Sequence, residues 1–142
     1  MPQLDANNSV LLSISEVPAY LDKALKALDL HVEARTSFIT YWLPDLLKHQ
    51  YIALRFVPQK EYEKAAVLDI LPTPNVVERI FMLFQGIESA LATNPEWVHA
   101  KEKAEADVLF WREVVGLPGE AGELMKDDSL FRVLEWGGME VL

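Results

Sequence analysis

Apolar residues recur at helical spacing in the first part of the chain. They fall every third or fourth position over residues 17–30, behind the capping-box spacing of Ser13 and Glu16. A second apolar face covers residues 34–47 and contains Pro44. Because proline donates no backbone hydrogen bond and its ring crowds the preceding turn, we expect this helix to kink or restart there.

The pattern then changes to that of strands. The run 76–86 is apolar on both faces, which predicts a central strand that is covered on both sides or closes an oligomer. Asn94 begins a later helix that continues to Gly116. The other strand candidates are 9–14, 50–57, 66–71 and 130–136. We therefore predict an α+β fold, with N-terminal helices and one later helix packed on a mostly antiparallel sheet of about four strands.

The length of 142 residues fits a single domain, 1–142. Residues 1–8 are polar, so we expect them to be disordered. The segment 116–129 holds a proline, three glycines and several acids, and we expect a flexible loop there.

Charge and composition narrow the functional classes. The net charge is −9, and no cluster of Lys and Arg stands out along the chain, so we expect no nucleic-acid partner. The longest apolar stretch near the N-terminus is too short to span a bilayer and no signal peptide is evident, so we expect no membrane partner. The chain has no cysteine, which excludes disulfides and favours a soluble, cytoplasmic protein.

Three segments together suggest a relationship. They are Phe-Ile-Thr-Tyr-Trp-Leu-Pro at 38–44, the run 72–84, and Glu-Trp-Gly-Gly at 135–138. With these signatures in this order, the chain resembles small uncharacterised fungal proteins and domains of larger uncharacterised bacterial proteins. The resemblance implies a shared fold, with helices first and strands after, and it implies no activity. Relative to the bacterial form, residues 90–128 look like an insertion.

Metal, cofactor and nucleophile chemistry find little support. The three histidines, His31, His49 and His99, lie in separate segments without the spacing of metal ligands. There is no cysteine, no Gly-x-Ser-x-Gly turn and no phosphate-binding glycine loop. We therefore predict no metal and no cofactor.

Two strand carboxylates are the candidates for acid–base chemistry, Glu78 and Glu135. Arginines also lie in strand patterns at Arg55, Arg79 and Arg132, so cross-strand pairing explains all five as structure. We expect Arg55 or Arg79 to bond to Glu135.

Alternation of side chains along the last strand puts Glu135 on the same face as Phe131 and Val133. Since we expect that strand to bury Phe131 and Val133, Glu135 should lie near the core.

Aromatic residues offer a candidate binding surface. Tyr41 points about 100° away from Trp42 around its helix, so it faces a rim or a partner if Trp42 is buried. Trp136 lies beside two glycines and is expected to be partly exposed. The predicted binding residues are Tyr41, Trp42, Arg55, Arg79, Glu135 and Trp136.

Three functions remain open from the sequence. The first is a non-enzymatic binding or protein-interaction module, whose partner is a second copy of the chain or another protein. The second is a small enzyme that uses Glu78 or Glu135 beside an arginine. The third is a carrier of an apolar small molecule held between helices and sheet.

Overall fold

A computed structural model describes residues 3–142 and has an α+β fold. Four strands form one sheet: β1 Val10–Ser13, β2 Tyr51–Phe56, β3 Val76–Ile87 and β4 Arg132–Glu140. Their order in the sheet is β1-β2-β3-β4. The pairs β1–β2 and β2–β3 are antiparallel, and β3–β4 is parallel, so the predicted mostly antiparallel sheet is confirmed.

Helices cover both faces of this sheet. The two longest, α1 and α2, follow β1, and the later helix expected from the sequence is divided into α5 and α6. The division occurs because Ala106 is extended at the end of α5. Short 3-10 turns at Ile14–Glu16 and Pro95–Trp97 lead into α1 and α5. The helices are α1 Val17–Ala27, α2 Val32–Leu46, α3 Gln59–Ala65, α4 Ser89–Ala92, α5 Val98–Glu105, α6 Phe110–Val115 and α7 Ala121–Lys126.

The main core lies between one face of the sheet and helices α1, α2 and α6. Alternate side chains of β2, namely Ile52, Leu54 and Phe56, point into it and are fully buried. On the opposite face, Ala53 and Trp97 belong to a smaller cluster beneath α5. Burial of this kind stabilises a fold by roughly 25 cal/mol per Å² of apolar surface, so the larger main core contributes more than the smaller cluster.

Of two sequence predictions about individual elements, the strand at 66–71 is wrong, and the restart at Pro44, predicted as the alternative to a kink, does not occur. Residues 66–71 form no strand, and Val67 is 84% exposed. Leu68 and Leu71 are also exposed, so the segment buries too little apolar surface to hold it in the sheet. Helix α2 continues through Pro44 without a restart. Pro44 lies in its last turn, where only one hydrogen bond is lost, and the exposed Thr40 can give its carbonyl to water.

Two segments that we expected to be disordered or flexible contain defined structure, namely hydrogen bonds in one and a helix in the other. In residues 3–8, the Asp5 carboxylate accepts hydrogen bonds from the backbone of Asn7 and Asn8. Met1 and Pro2 lie outside the described residues. Within 116–129, Gly116 ends α6 at a φ of 86°, a left-handed conformation that suits glycine, and α7 follows.

Candidate functional site

Aromatic side chains from α2 and β4 pack together on the main-core face of the sheet. The ring centroids of Phe38 and Trp136 are 5.2 Å apart, and those of Tyr41 and Trp136 are 6.2 Å apart. Trp42 packs edge-on against Phe84 at 5.5 Å. Trp42 and Trp136 are half-buried, whereas Tyr41 is 64% exposed. The predicted binding residues Tyr41, Trp42 and Trp136 are thus neighbours, and we call them the aromatic cluster.

Gly138 allows α2 to approach β4 this closely. A Cβ atom at this position would lie 2.9 Å from the Met82 carbonyl oxygen and 2.9 Å from Cζ2 of Trp42, closer than real Cβ atoms come. Gly137 has more room, because its Cβ would meet Phe81 at an ordinary 3.5 Å. The Tyr-Trp and Trp-Gly-Gly segments of the sequence therefore form one packed unit.

The outer edge of β4 has no strand partner among residues 3–142. Val57 N–H donates to the Phe81 carbonyl, so odd-numbered residues of β3 turn their backbone groups toward β2 and even-numbered ones toward β4. Val141 N–H accordingly donates to the Phe84 carbonyl. Because backbone groups alternate sides along a strand, odd-numbered residues of β4 bond to β3 and even-numbered ones face outward. The outward-facing residues are Arg132, Leu134, Trp136, Gly138 and Glu140.

Within residues 3–142, no strand pairs with this outer edge of β4. The other edge strand, β1, has four residues and packs against α5. A nine-residue strand whose outward N–H and C=O groups lack strand partners is a template for another extended chain. The aromatic cluster lies beside it, because Trp136 belongs to β4 and Tyr41 contacts Trp136.

Arg79 and Glu135 form the expected ion pair, across β3 and β4. Nη2 of Arg79 donates to Oε1 of Glu135 at 3.1 Å, and the Tyr62 hydroxyl donates to the same oxygen at 3.0 Å. The guanidinium also lies 4.5 Å from the centre of the Tyr62 ring and donates to the Ala66 carbonyl. Burial, and then the hydrogen bond to Glu135, raise the pKa of Tyr62.

The predicted position of Glu135 near the core is wrong. Its side chain is 35% exposed, and Phe131 is 40% exposed. Leu134 and Trp136 pack against the main core instead, so the odd-numbered residues of β4 point to the opposite face. The strand therefore buries the alternate set of side chains from the one we expected.

The other two strand arginines do not pair with a strand carboxylate. Arg55 is buried on the face away from α1 and α2 and donates to the Gln3 carbonyl, so it joins neither Glu135 nor the aromatic cluster. Arg132 lies 3.4 Å from the exposed Asp128 carboxylate and donates to the Met125 carbonyl. Cross-strand pairing therefore explains only Arg79 and Glu135.

Glu78 enters a buried cluster that no pattern in the sequence indicates. Glu78 is 1% exposed, and no other group donates a hydrogen bond to either of its carboxyl oxygens. Burial, followed by the neighbouring Asp29 carboxylate, raises the pKa of Glu78 to about 9. Arg112 opposes this shift and pairs with Asp29 at 2.7 Å. At neutral pH Glu78 therefore keeps its proton, which it can donate to Asp29.

The three members of this cluster come from distant parts of the chain. Asp29 has a φ of 69° in the turn between α1 and α2, Glu78 is in β3 and Arg112 is in α6. A Cβ atom on Gly122 of α7 would lie 2.8 Å from Asp29 Oδ1, so α7 packs closely against Asp29. No local spacing links these positions, and the only signal in the sequence was a single Glu within an apolar strand pattern.

A cleft of about 660 Å³ borders Asp29 and gathers cations from separate segments. Two of them, Arg35 and Arg132, already bond to carboxylates and carbonyls. Lys26 and Lys126 are exposed and have no ion-pair partner among residues 3–142. The fold thus brings together cations that are scattered along the sequence, although the cleft offers only two unpaired lysines to an anion.

A second cavity, of about 380 Å³, lies on the opposite face between the segment after α3 and the sheet. Its lining is mostly apolar, with Arg79 and Glu63 at its wall. The apolar lining residues are Val67, Leu68, Ile70, Pro74 and Val77. A carrier of an apolar small molecule would need a cavity with such a lining.

The histidines lie apart from one another. His49 bonds to Glu140 at 2.8 Å, and His99 lies 3.8 Å from Glu102. In the part of the chain that the structure describes, no three His, Asp or Glu side chains gather as metal ligands would.

No helix among residues 3–142 is both long and apolar enough to cross a bilayer.

No family model, curated protein or solved structure matches the chain. The resemblance to fungal and bacterial proteins therefore stays a prediction.

Proposed function

We propose that the protein is a non-enzymatic protein-interaction module, and that it binds an extended segment of another chain along the outer edge of β4. The observation that carries this proposal is the row of outward backbone groups on β4, which have no partner strand within residues 3–142. A strand added to such an edge gains main-chain hydrogen bonds, and neighbouring side chains select its sequence.

The aromatic cluster supplies the side-chain part of this recognition. Tyr41 exposes most of its ring, and the half-buried Trp136 lies beside it on the edge strand itself. Tyrosine and tryptophan are the residue types that most often carry binding energy at protein interfaces, because they bury a large area at a small entropic cost. An added strand would cover both rings.

The charge of the protein favours a protein partner over a nucleic acid. With 22 acidic and 13 basic residues, the long-range field repels phosphate backbones. We place this interaction in the cytoplasm, and the support for that is the absence of cysteine.

A photo-crosslinking amino acid at position 41 tests the proposal even while the identity of the partner is unknown. In cells that make the protein natively, replacement of Tyr41 by p-benzoylphenylalanine should give discrete crosslinked products after irradiation. The matched control is Val98, which is similarly exposed but lies on α5 at the other end of the sheet. Products at position 41 and not at 98 support the module, whereas no product at 41 would overturn it.

An enzyme that uses Glu78 is the second candidate. The observation in its favour is the raised pKa, since a carboxylic acid that stays neutral at pH 7 can act as a proton donor. Its burial opposes this role, because a substrate would have to approach through Asp29 at the border of the cleft.

A water-soluble carbodiimide, which modifies accessible protonated carboxyls, tests whether Glu78 or Asp29 can be reached from solvent. If mass spectrometry finds neither Glu78 nor Asp29 modified in the folded protein, this candidate is excluded.

A further inference from the structure

We infer that the chain that binds the edge of β4 is a second copy of this protein, and that the two β4 strands pair antiparallel about a two-fold axis beside Trp136. This inference rests on the proposed function, because it identifies the partner for the same edge. It follows from three features: the direction of the backbone groups of β4, the order of its charges and the exposed Tyr41 beside it.

The direction of the backbone groups limits how two copies can pair. Only even-numbered residues of β4 point outward, so a hydrogen-bonded pair between copies must join an even-numbered residue to an even-numbered residue. Pairing about Trp136 satisfies this condition. It is also the register that uses the whole strand, since Arg132 and Glu140 lie equally far from Trp136 at the two ends.

The order of charges agrees with this register. With Trp136 opposite the partner's Trp136, Arg132 lies opposite the partner's Glu140, and symmetry repeats the pair at the other end. Residues directly opposite one another in an antiparallel pair have side chains on the same face. The two charges can therefore meet when Arg132 exchanges the exposed Asp128, 3.4 Å away, for the partner's Glu140, which keeps His49 at 2.8 Å. A shift of the register by two residues places Arg132 opposite the partner's Gly138 and removes both charge pairs.

The exposed aromatic ring lies at the same place. The Tyr41 rings flank the two Trp136 side chains near the axis, which covers the largest exposed aromatic residue of each copy. Gly138 adds no space for the partner's Leu134, because the Trp42 ring already lies where its side chain would be. The edge is thus complementary to itself in charge.

Charge reversal tests the register directly. Sedimentation should show the parent chain passing from its 16.1 kDa monomer to twice that mass between roughly 1 µM and roughly 1 mM. Arg132→Glu alone and Glu140→Arg alone each bring like charges together at both ends, so each should weaken self-association by about tenfold or more. An equimolar mixture of the two single variants should form a mixed dimer, because every opposing pair is then of opposite charge.

The double variant Arg132→Glu/Glu140→Arg should associate as the parent does. The matched control is Lys101→Glu, an exposed residue on α5 that should leave association unchanged. Far-UV circular dichroism and thermal unfolding establish that the variants remain folded. A parent that stays monomeric up to roughly 1 mM, or single variants that do not pair when mixed, would overturn the inference. Crosslinks from position 41 to a different protein would then leave the proposed function intact.

Discussion

At the scale of single residues, two positions depend closely on their surroundings, namely the buried acid Glu78 and the tightly packed Gly138. Glu78 is a carboxylic acid within the main-core face of the sheet, held beside Asp29 and Arg112. An ionised carboxylate in that position would cost several kcal/mol, so the group keeps its proton and is neutral. Gly138 is the second case, since any larger residue would push Trp42 away from the sheet.

The titration of Glu78 predicts how stability depends on pH. Its pKa is about 9 in the folded protein, against an ordinary value of 4.5. Between these values the unfolded chain releases a proton that the folded protein keeps, so the stabilising contribution is complete below pH 4.5 and is lost as pH rises toward 9. The slope from this group is at most about 1.4 kcal/mol per pH unit.

Urea unfolding of Glu78→Gln at several pH values checks this prediction. The amide cannot ionise but can donate a hydrogen bond to Asp29, so the variant should gain stability relative to the parent as pH rises from 5 toward 9. Glu123→Gln, at an exposed position on α7, is the control and should follow the parent curve. Parallel curves for Glu78→Gln and the parent would show that Glu78 titrates normally.

Gly138→Ala should destabilise the protein by roughly 1–3 kcal/mol, because the new methyl group overlaps the Met82 carbonyl and the Trp42 ring. Gly137→Ala is the matched control on the same strand, and its methyl group meets only an ordinary contact with Phe81. We expect a change of less than about 0.5 kcal/mol there. Chemical denaturation measures both. Equal effects at the two glycines would contradict the packing of α2 on β4.

At the scale of elements, the sequence predicted those parts that depend on local periodicity. The alternation over 50–57 predicted β2, and the two-sided apolar run over 76–86 predicted β3, which does have a neighbour on each side. The segment 66–71 carries an equally apolar pattern, yet its side chains stay largely exposed, because pairing depends on contacts with distant parts of the chain. Periodicity does not contain that information.

The candidate site was predictable in part for the same reason. The bond between Arg79 and Glu135 was predictable because two strand patterns each carry one charge, and the structure confirms it. The face of Glu135 was predicted wrongly, because alternation fixes which residues share a face and leaves open which face meets the core. Asp29 and Arg112 join Glu78 only through the fold, and no spacing in the sequence indicates them.

Glu135→Ala tests how α3 is attached to the sheet. It removes the carboxylate that accepts from both Arg79 and Tyr62, and leaves a buried guanidinium with the Ala66 carbonyl and a tyrosine ring. We expect a loss of roughly 1–3 kcal/mol in the free energy of unfolding, typical of hydrogen bonds to charged groups. Asp128→Ala, which removes an exposed partner of Arg132, should cost less than about 0.5 kcal/mol. Similar losses at the two sites would contradict a stabilising role for the Arg79–Glu135 pair.

At the scale of the whole molecule, an acidic protein whose strand β4 lacks an outer partner among residues 3–142 is expected to select its partners by charge as well as by shape. The net charge of −9 predicts no binding of duplex DNA at physiological salt, despite the cations around the cleft at Asp29. Titration of labelled duplex DNA checks this, with a second series at low salt as the control. Micromolar or tighter binding that weakens with added salt would refute the prediction.

Residue-resolved amide hydrogen exchange along β4 tests the role of the open edge most directly. In dilute solution the amides of Val133, Glu135, Gly137 and Met139 should be protected by β3, while those of Leu134, Trp136, Gly138 and Glu140 should exchange rapidly. At high concentration the second set should become protected, as an added strand bonds to the edge. If the second set exchanges equally fast at both concentrations, and also in the crosslinked product from position 41, then β4 does not bind a strand and the proposed interaction is wrong.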